Sequence, residues 1–189
     1  MVVKEEYTEY KFHLEWIKKN LVFDRNKAAR LAGLNFNQFV YHLQHKRIVP
    51  FVSSDLPGTR PGNAYLVQDL ENFKVNGKMT TIDDWDEPTK LMREWMKSSL
   101  TFSSQQAIMY TGHSNTLAFM ANVRRGRIPV FYSSGDSKEA IQLFLIQDLI
   151  NFRLYRTLRG NELNNEHLPL IFQRLGIRSG IFNSMQNKK

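Results

Sequence analysis

The sequence predicts a mainly α-helical protein with small β-hairpins, built as two tandem copies of one unit plus a helical C-terminal extension. Three observations carry that expectation. Apolar residues recur at helical spacing on both sides of two glycines, Gly33 and Gly112, the residue type suited to the left-handed turn past a helix end. Each glycine is followed by a second helical pattern and then by a β-rich run, IVPFVSS from Ile48 and IPVFYSS from Ile128. The letters themselves repeat: Glu15-Trp16 returns as Glu94-Trp95, Ala28 as Ala107, Gly33 as Gly112 and QDLENF as QDLINF, all at an offset of 79, while KRIVPFVSS and GRIPVFYSS match at 80. One residue is therefore gained in the turn and lost in the hairpin, and loops are where a duplicated fold tolerates such changes.

In chain order, Lys4 to Asn20 places Tyr7, Tyr10, Phe12, Leu14, Trp16 and Ile17 among charges, an amphipathic helix. Leu21, Val22 and Phe23 read as an apolar connection. Asp24 is the expected N-cap of the next helix, which carries Ala28, Ala29, Leu31 and Ala32, small residues that let a neighbour cross closely. Asn35 is the expected cap of the following helix, with Phe39, Val40 and Leu43 turned inward and Asn37, Gln38, Tyr41, His42 and His45 outward. IVPFVSS and AYLV then form a hairpin around the turn-rich DLPGTRPGN, with Arg60 near its tip, and QDLENF closes the unit as a short helix from Gln68. Lys74 to Thr89 reads as a polar linker, long enough when extended to separate two modules by about 45 Å. The predicted boundaries are 1–79 for the first domain, 80–155 for the second and 156–189 for the extension, whose LPLIFQRLGI has no repeat partner.

Composition bounds the function. A hydrophobic fraction of 42% belongs to a folded chain. No apolar run reaches the 18 or so residues of a membrane span, and MVVKEEYTEY is too polar for a secretion signal, so a cytoplasmic protein with no membrane partner is expected. The absence of cysteine removes disulfides, thiolate nucleophiles and cysteine zinc sites. No P-loop, GxSxG, HExxH or paired carboxylates stand in the sequence, so neither an enzyme nor a cofactor is expected. The formal charge is +8, with 12 basic against 8 acidic residues in 1–79, 7 against 8 in 80–152 and 7 against 2 in 153–189. The neutral middle still holds a basic knot at Arg124, Arg125 and Arg127. Local basic clusters favour polyanions, and a plainly soluble basic surface is the competing reading.

AA..AG, the glycine turn, a polar-faced helix ending in a basic residue before IVP, a hairpin and then YLVQDLENF together resemble the winged helix-turn-helix of the MerR and phage excisionase type. The resemblance covers about residues 24–73 and, more weakly, 103–152. It implies two tandem winged helix-turn-helix domains whose second helices enter the DNA major groove while the hairpins, as wings, reach the backbone.

On the residues themselves, Asn37 and Gln38 offer the donor and acceptor pair that reads an adenine edge, and Tyr41, His42 and His45 continue that face. Lys46 and Arg47 are placed to grip phosphate. In the second copy Ser114, Asn115 and Thr116 start the helix, Asn122 continues its polar face, Arg124, Arg125 and Arg127 supply phosphate contacts and Lys138 lies in the shorter hairpin. Asn35, Ser114 and Thr116 could equally do no more than cap helices. A metal pair at His42 and His45 lacks the further ligands a site needs. The expected function is sequence-specific binding of double-stranded DNA, as a transcriptional regulator or repressor of a phage or mobile element. Two alternatives stay open: an architectural, excision or segregation factor, and a protein-interaction module without DNA. The C-terminal segment is expected either to make a homodimer or to clamp the domains.

Overall fold

The computed structural model describes residues 10–53, 62–135 and 140–160, with side chains to residue 156. It is mainly helical with small antiparallel sheets. The same order of elements runs twice. The first series is α1 (Lys11–Asn20), β1 (Leu21–Val22), α2 (Arg25–Leu31), α3 (Phe36–Gln44), β2 (Tyr65–Leu66) and α4 (Val67–Asn76). After a 3-10 turn at Ile82–Asp84, the second series is α5 (Glu87–Ser99), β3 (Leu100–Thr101), α6 (Ser104–Thr111), α7 (Thr116–Arg124), β4 (Tyr132–Ser133), β5 (Gln142–Leu145) and α8 (Ile146–Gly160). Among the described residues no helix is long and apolar enough to cross a membrane. Two compact units result: residues 10–98 with 134, 135, 140 and 141, and residues 99–133 with 142–160.

The expected caps are in place, and they explain where the helices start and stop. Asp24 accepts from the Lys27 amide at 2.6 Å, satisfying one of the amides that the first turn of α2 leaves without a partner. Ser103, which the sequence had not singled out as a cap, does the same for Gln106 at 3.2 Å. Gly33 and Gly112 both lie in the left-handed region, at φ 71 and 67. Their surroundings differ: a Cβ on Gly33 would lie 2.9 Å from Lys74 Cγ, whereas one on Gly112 would meet Arg153 Nε at 3.6 Å.

The two cores are the same core written twice. In the first unit Ala28, Phe39, Ile48, Tyr65, Leu70 and Phe73 are buried together with Val22, Ala29 and Ala32. In the second unit Ala107, Phe119, Ile128, Phe144, Leu149 and Phe152 are buried together, each standing 79 or 80 residues after its counterpart. Even the ring contact persists, with Phe39 edge-on to Tyr65 at 5.3 Å and Phe119 edge-on to Phe144 at 5.2 Å. The aromatic edge-to-face arrangement adds specificity to burial that is already the main driving force.

Two expectations need correction. The apolar run Leu21-Val22-Phe23 is not a mere connection: Leu21 and Val22 pair antiparallel with Leu66 and Tyr65, as Leu100 and Thr101 pair with Leu145 and Phe144. Each hairpin therefore gains a third partner from the residues just ahead of α2 and of α6. In the first unit the hairpin itself closes by the Val52–Ala64 bridge, and in the second by Tyr132 opposite Leu143 and Ser133 opposite Gln142. The second hairpin strand also ends early, since α4 starts at Val67.

The second correction concerns the polar linker. Residues 74–89 are folded onto the first unit instead of extended. α4 runs on to Asn76 and is ended by Gly77 at φ 66. Beyond it the buried Asp69 carboxylate accepts from the Thr80 hydroxyl and, at 3.1 Å, from Trp85 Nε1. Trp85 lies 5.0 Å from Phe51, ring to ring, and Met79 packs on the core. The large apolar surface of Trp85 gains more from burial than a solvated linker would gain in freedom. α5 follows within the same unit, where Trp95 stacks at 4.0 Å on His13 and Arg93 Nε donates to the Phe51 carbonyl at 2.8 Å.

Candidate nucleic-acid interface

The first unit presents α3. Its start is a reciprocal cap: the Gln38 amide donates to Asn35 Oδ1 at 2.9 Å, and the Asn35 amide donates to Gln38 Oε1 at 3.0 Å. The cap takes one lone pair of each side-chain oxygen, so Gln38 keeps its Nε2 donors and one lone pair for an outside partner, while Asn37 takes no part in the cap. Asn37 is exposed and makes no side-chain hydrogen bond among the described residues. One and two turns on, Tyr41 and His45 are both exposed and stack on each other, their rings 4.0 Å apart. His45 Nδ1 lies 2.8 Å from the Tyr41 carbonyl, so it donates there and leaves Nε2 for a partner.

His42 departs from expectation. It is half-buried and packs 5.1 Å from the Phe73 ring, against the closing helix and away from the outer face. At three residues from His45 it sits off the row formed by Asn37, Tyr41 and His45, which repeats every four. Among the described residues no group of three His, Cys, Asp or Glu could hold a metal.

The end of α3 carries Lys46 and Arg47, both exposed, beside the negative end of the helix dipole. Lys46 has φ 54 and is the one non-glycine residue at positive φ among the described residues. Gly126 occupies the same place in the second unit, at φ 65. The backbone turn therefore asks for glycine, and the first unit keeps a lysine there.

The second unit presents α7 differently. Asn115 caps it by accepting from the Ala118 amide at 2.8 Å, and the extra turn residue places His113 and Ser114 where Leu34 stands alone. Ser114 accepts from Asn115 Nδ2 at 3.4 Å, and Thr116 is the first, exposed residue of the helix. The positions of Asn37, Gln38 and Tyr41 are taken by Leu117, Ala118 and Ala121. Leu117 is 82% exposed. The amide face of α3 has no equivalent on α7. At its end Arg124 and Arg125 are exposed and Arg127 is half-buried.

Asn122 also corrects the expectation of an outward polar face. Its Nδ2 donates to the Ala118 carbonyl at 2.9 Å and lies 3.0 Å from His113 Nε2, and its Oδ1 faces Arg127 Nη1 at 3.5 Å. His113 Nδ1 in turn lies 2.7 Å from the Thr111 hydroxyl, which donates to the Ala107 carbonyl at 3.0 Å. The directions of these bonds require a neutral His113, with the proton on Nδ1 and Nε2 accepting from Asn122. Burial, and secondarily the charge of Arg156, lowers the His113 pKa from its ordinary 6.5. Asn122 thus braces the turn and Arg127 from within.

Sequence reasoning passed over the cation that follows QDLxNF in both copies, Lys74 and Arg153, whose stems cross the two glycine turns. The signal was its recurrence at the offset of 79. Arg60 and Lys138, like the LPLIFQRLGI segment, lie outside the described residues. Comparison with protein-family models, curated proteins and solved structures returns no match.

Proposed function

We propose that the chain is a double-stranded DNA-binding protein made of two tandem winged helix-turn-helix units, acting without chemistry of its own as a sequence-specific regulator. The observation that carries this reading is the outer row of α3 and the turn that ends it: Asn37, the Tyr41–His45 ring pair and then Lys46 and Arg47 follow one another, all exposed. Such a row supplies an amide for base edges, flat rings for apolar and backbone contact, and cations for phosphate. The order of helix, glycine turn, second helix, hairpin and closing helix supports the winged reading, and the net charge of +8 suits a polyanion.

The two units divide the work in this reading. α3 weights sequence preference, while α7, with alanines at the equivalent positions and three arginines at its end, weights phosphate affinity. Covalent linkage lets modest affinities combine. The test is selection of bound sequences from random duplex, followed by affinity against salt for Asn37→Ala/Tyr41→Ala and for Arg124→Glu/Arg125→Glu/Arg127→Glu. The first pair should flatten the selected motif. The second set should weaken all duplexes alike and lower the salt slope by about 2 to 3, at 0.9 per phosphate. No enriched motif removes the claim of specificity, and an unchanged slope in the arginine set removes DNA from the second unit.

A second reading has one observation in its favour. Leu117 and Met109, 82% and 65% exposed, replace Asn37 and Arg30 of the first copy, an apolar substitution suited to a protein partner. An unchanged salt slope in the arginine set would favour it for the second unit. Whether the role is repression or excision and segregation is read from a footprint, at a promoter or at clustered attachment sites.

A further inference from the structure

His45 is the C-cap of α3, at φ −89 and ψ 11. Its Nδ1 lies 2.8 Å from the Tyr41 carbonyl. A carbonyl oxygen only accepts, so the Nδ1 proton is held there whether the ring is neutral or charged. The neutral ring therefore carries a lone pair on Nε2, and that atom can accept from a partner but not donate to one. Protonation at Nε2 reverses this, making the same atom a donor and the ring a cation. Nε2 makes no hydrogen bond among the described residues, and the side chain is exposed.

The surroundings of the ring pull both ways on that proton. The Tyr41 ring lies 4.0 Å away, centroid to centroid, at 33°, and its π face attracts a cation at such range. The last carbonyls of α3 also favour positive charge. Against them stand Lys46 and Arg47, the charged residues next in the chain, both exposed. Among the described residues no carboxylate forms an ion pair with His45. An anion supplied from outside would offset the repulsion of the two neighbours.

The second unit carries a permanent cation at this place. Arg125 stands 80 residues after His45 and is the C-cap of α7, at φ −78 and ψ 2. Gln44-His45-Lys46-Arg47 of the first copy reads Arg124-Arg125-Gly126-Arg127 in the second. With His45 protonated, the end of α3 carries three cations, the number that the end of α7 carries at all times.

We infer that His45 is a proton-dependent phosphate contact, whose imidazolium Nε2–H donates to a backbone phosphate of the duplex. This rests on the DNA-binding reading above, in which the row of Asn37, Tyr41 and His45 meets the duplex. Phosphate oxygens only accept at neutral pH, so they have no bond to offer the neutral ring, and binding takes up one proton from solvent onto Nε2. An adenine or cytosine amino group would instead be the partner of the neutral ring. The place of His45 favours phosphate: it lies at the far end of the helix from Asn37, beside Lys46 and Arg47. The first unit thus grips the backbone more firmly as pH falls through the range where histidine titrates, while Arg125 keeps its charge throughout.

The test is duplex affinity of the full chain, measured against salt near pH 6 and near pH 8, for wild type, His45→Arg and His45→Gln. From the higher to the lower pH, wild type should tighten about three- to tenfold and gain about 0.9 in salt slope, one phosphate's worth. His45→Arg should show the steeper slope at both pH values, and His45→Gln the shallower slope at both. The slope reads charge at the interface, so a variant that merely folds less well loses affinity without reproducing this pattern.

A wild-type affinity that does not change with pH, or a change that persists undiminished in both variants, overturns the inference and leaves the DNA-binding reading intact. Wild-type affinity that rises with pH, with the rise abolished in His45→Arg, would place a base amino group on the neutral Nε2 and overturn the phosphate assignment. Failure of wild type to bind duplex at either pH overturns the DNA-binding reading, and this inference with it.

Discussion

Lys46→Gly separates stability from binding by sign. Lys46 is held at φ 54, where a side chain meets the following carbonyl at a cost of about 1–2 kcal/mol. Glycine removes that cost but brings about 0.5–1 kcal/mol of extra chain entropy to be lost on folding. Loss of an exposed cation from the end of α3 subtracts a few tenths of a kcal/mol more. The balance favours the variant by about 0.5 kcal/mol, a rise of roughly 2–4 °C in the melting temperature of a unit this size. If Lys46 touches phosphate, the same change lowers the salt slope of duplex binding by about 0.9, so the affinity difference from wild type shrinks about 3.5-fold between 50 and 200 mM salt. Most damaging substitutions lower stability and function together, and a variant that folds better and binds worse cannot be a folding artefact. Tryptophan fluorescence reads the stability, because Trp16, Trp85 and Trp95 are the three tryptophans of the chain and all lie in the first unit. A variant that melts lower, or that binds duplex with the wild-type slope, refutes the account of Lys46.

Three further outcomes follow. Gly33→Ala should cost more than Gly77→Ala: both sit at positive φ, worth about 1–2 kcal/mol to a Cβ, but only at Gly33 does the new methyl meet Lys74 Cγ at 2.9 Å, whereas at Gly77 nothing lies within 4 Å. In urea denaturation, adding Lys74→Ala should recover the excess in Gly33→Ala, and equal losses at both glycines would show that Lys74 simply moves aside. On pH, burial raises the Asp69 pKa from 3.8 against the opposing hydrogen bonds of Thr80 and Trp85, so the folded unit keeps a proton that the unfolded chain releases. Stability of the first unit should fall as pH rises from about 4 through the raised value, and Asp69→Asn should flatten that window. For His113, whose pKa is lowered, the sign reverses: its contribution is present above 6.5 and is lost as pH falls toward the folded value. An imidazole NMR titration of His113 with a midpoint at or above 6.5 would contradict the bond from Asn122.

The caps and turns were legible because they depend on local chemistry. Asp24 and Asn35 needed only a short polar side chain ahead of an apolar period, and Gly33 and Gly112 only the freedom of a residue without a Cβ; in the second copy the cap is Asn115, between the Ser114 and Thr116 that the sequence offered for that role. The repeat offset located both cores, since Phe39 and Phe119 fill the same space. What local pattern could not show was pairing at a distance. Leu21 and Val22 are strand residues only because Tyr65 and Leu66 arrive beside them. Trp85 looks like part of an acidic linker until Asp69 and Phe51 are placed next to it. His42 and Asn122 failed for a related reason, since their type reads as outward and polar. The partners that turn them inward, Phe73 and His113, are set by how the closing helix and the turn pack.

The substitutions between copies argue for a division of labour more strongly than either copy does alone. The six positions shared by the two cores keep their apolar character at the 79 or 80 offset, with Phe, Ile and Leu retained and Tyr65 replaced by Phe144, whereas buried Val22 and Ala32 give way to Thr101 and Thr111. Several outward positions have not kept theirs: Arg30 and Lys46 give way to Met109 and Gly126. On α7 the amide, amide and phenol of Asn37, Gln38 and Tyr41 become Leu117, Ala118 and Ala121, which removes hydrogen-bonding reach into a groove. Around it Gln44 and His45 become Arg124 and Arg125, and Lys74 and Gly77 become Arg153 and Arg156, which adds guanidinium groups at the end of α7 and at the turn before it. If the units bind duplex as proposed, a helix without base-reading groups and with arginines at its end would hold a backbone whose sequence it does not read. Lys46 marks the converse in the first unit, where the backbone favours glycine and a charged side chain is kept at a cost in stability. The first unit therefore departs from its own best backbone at a position where its share of the binding would be made.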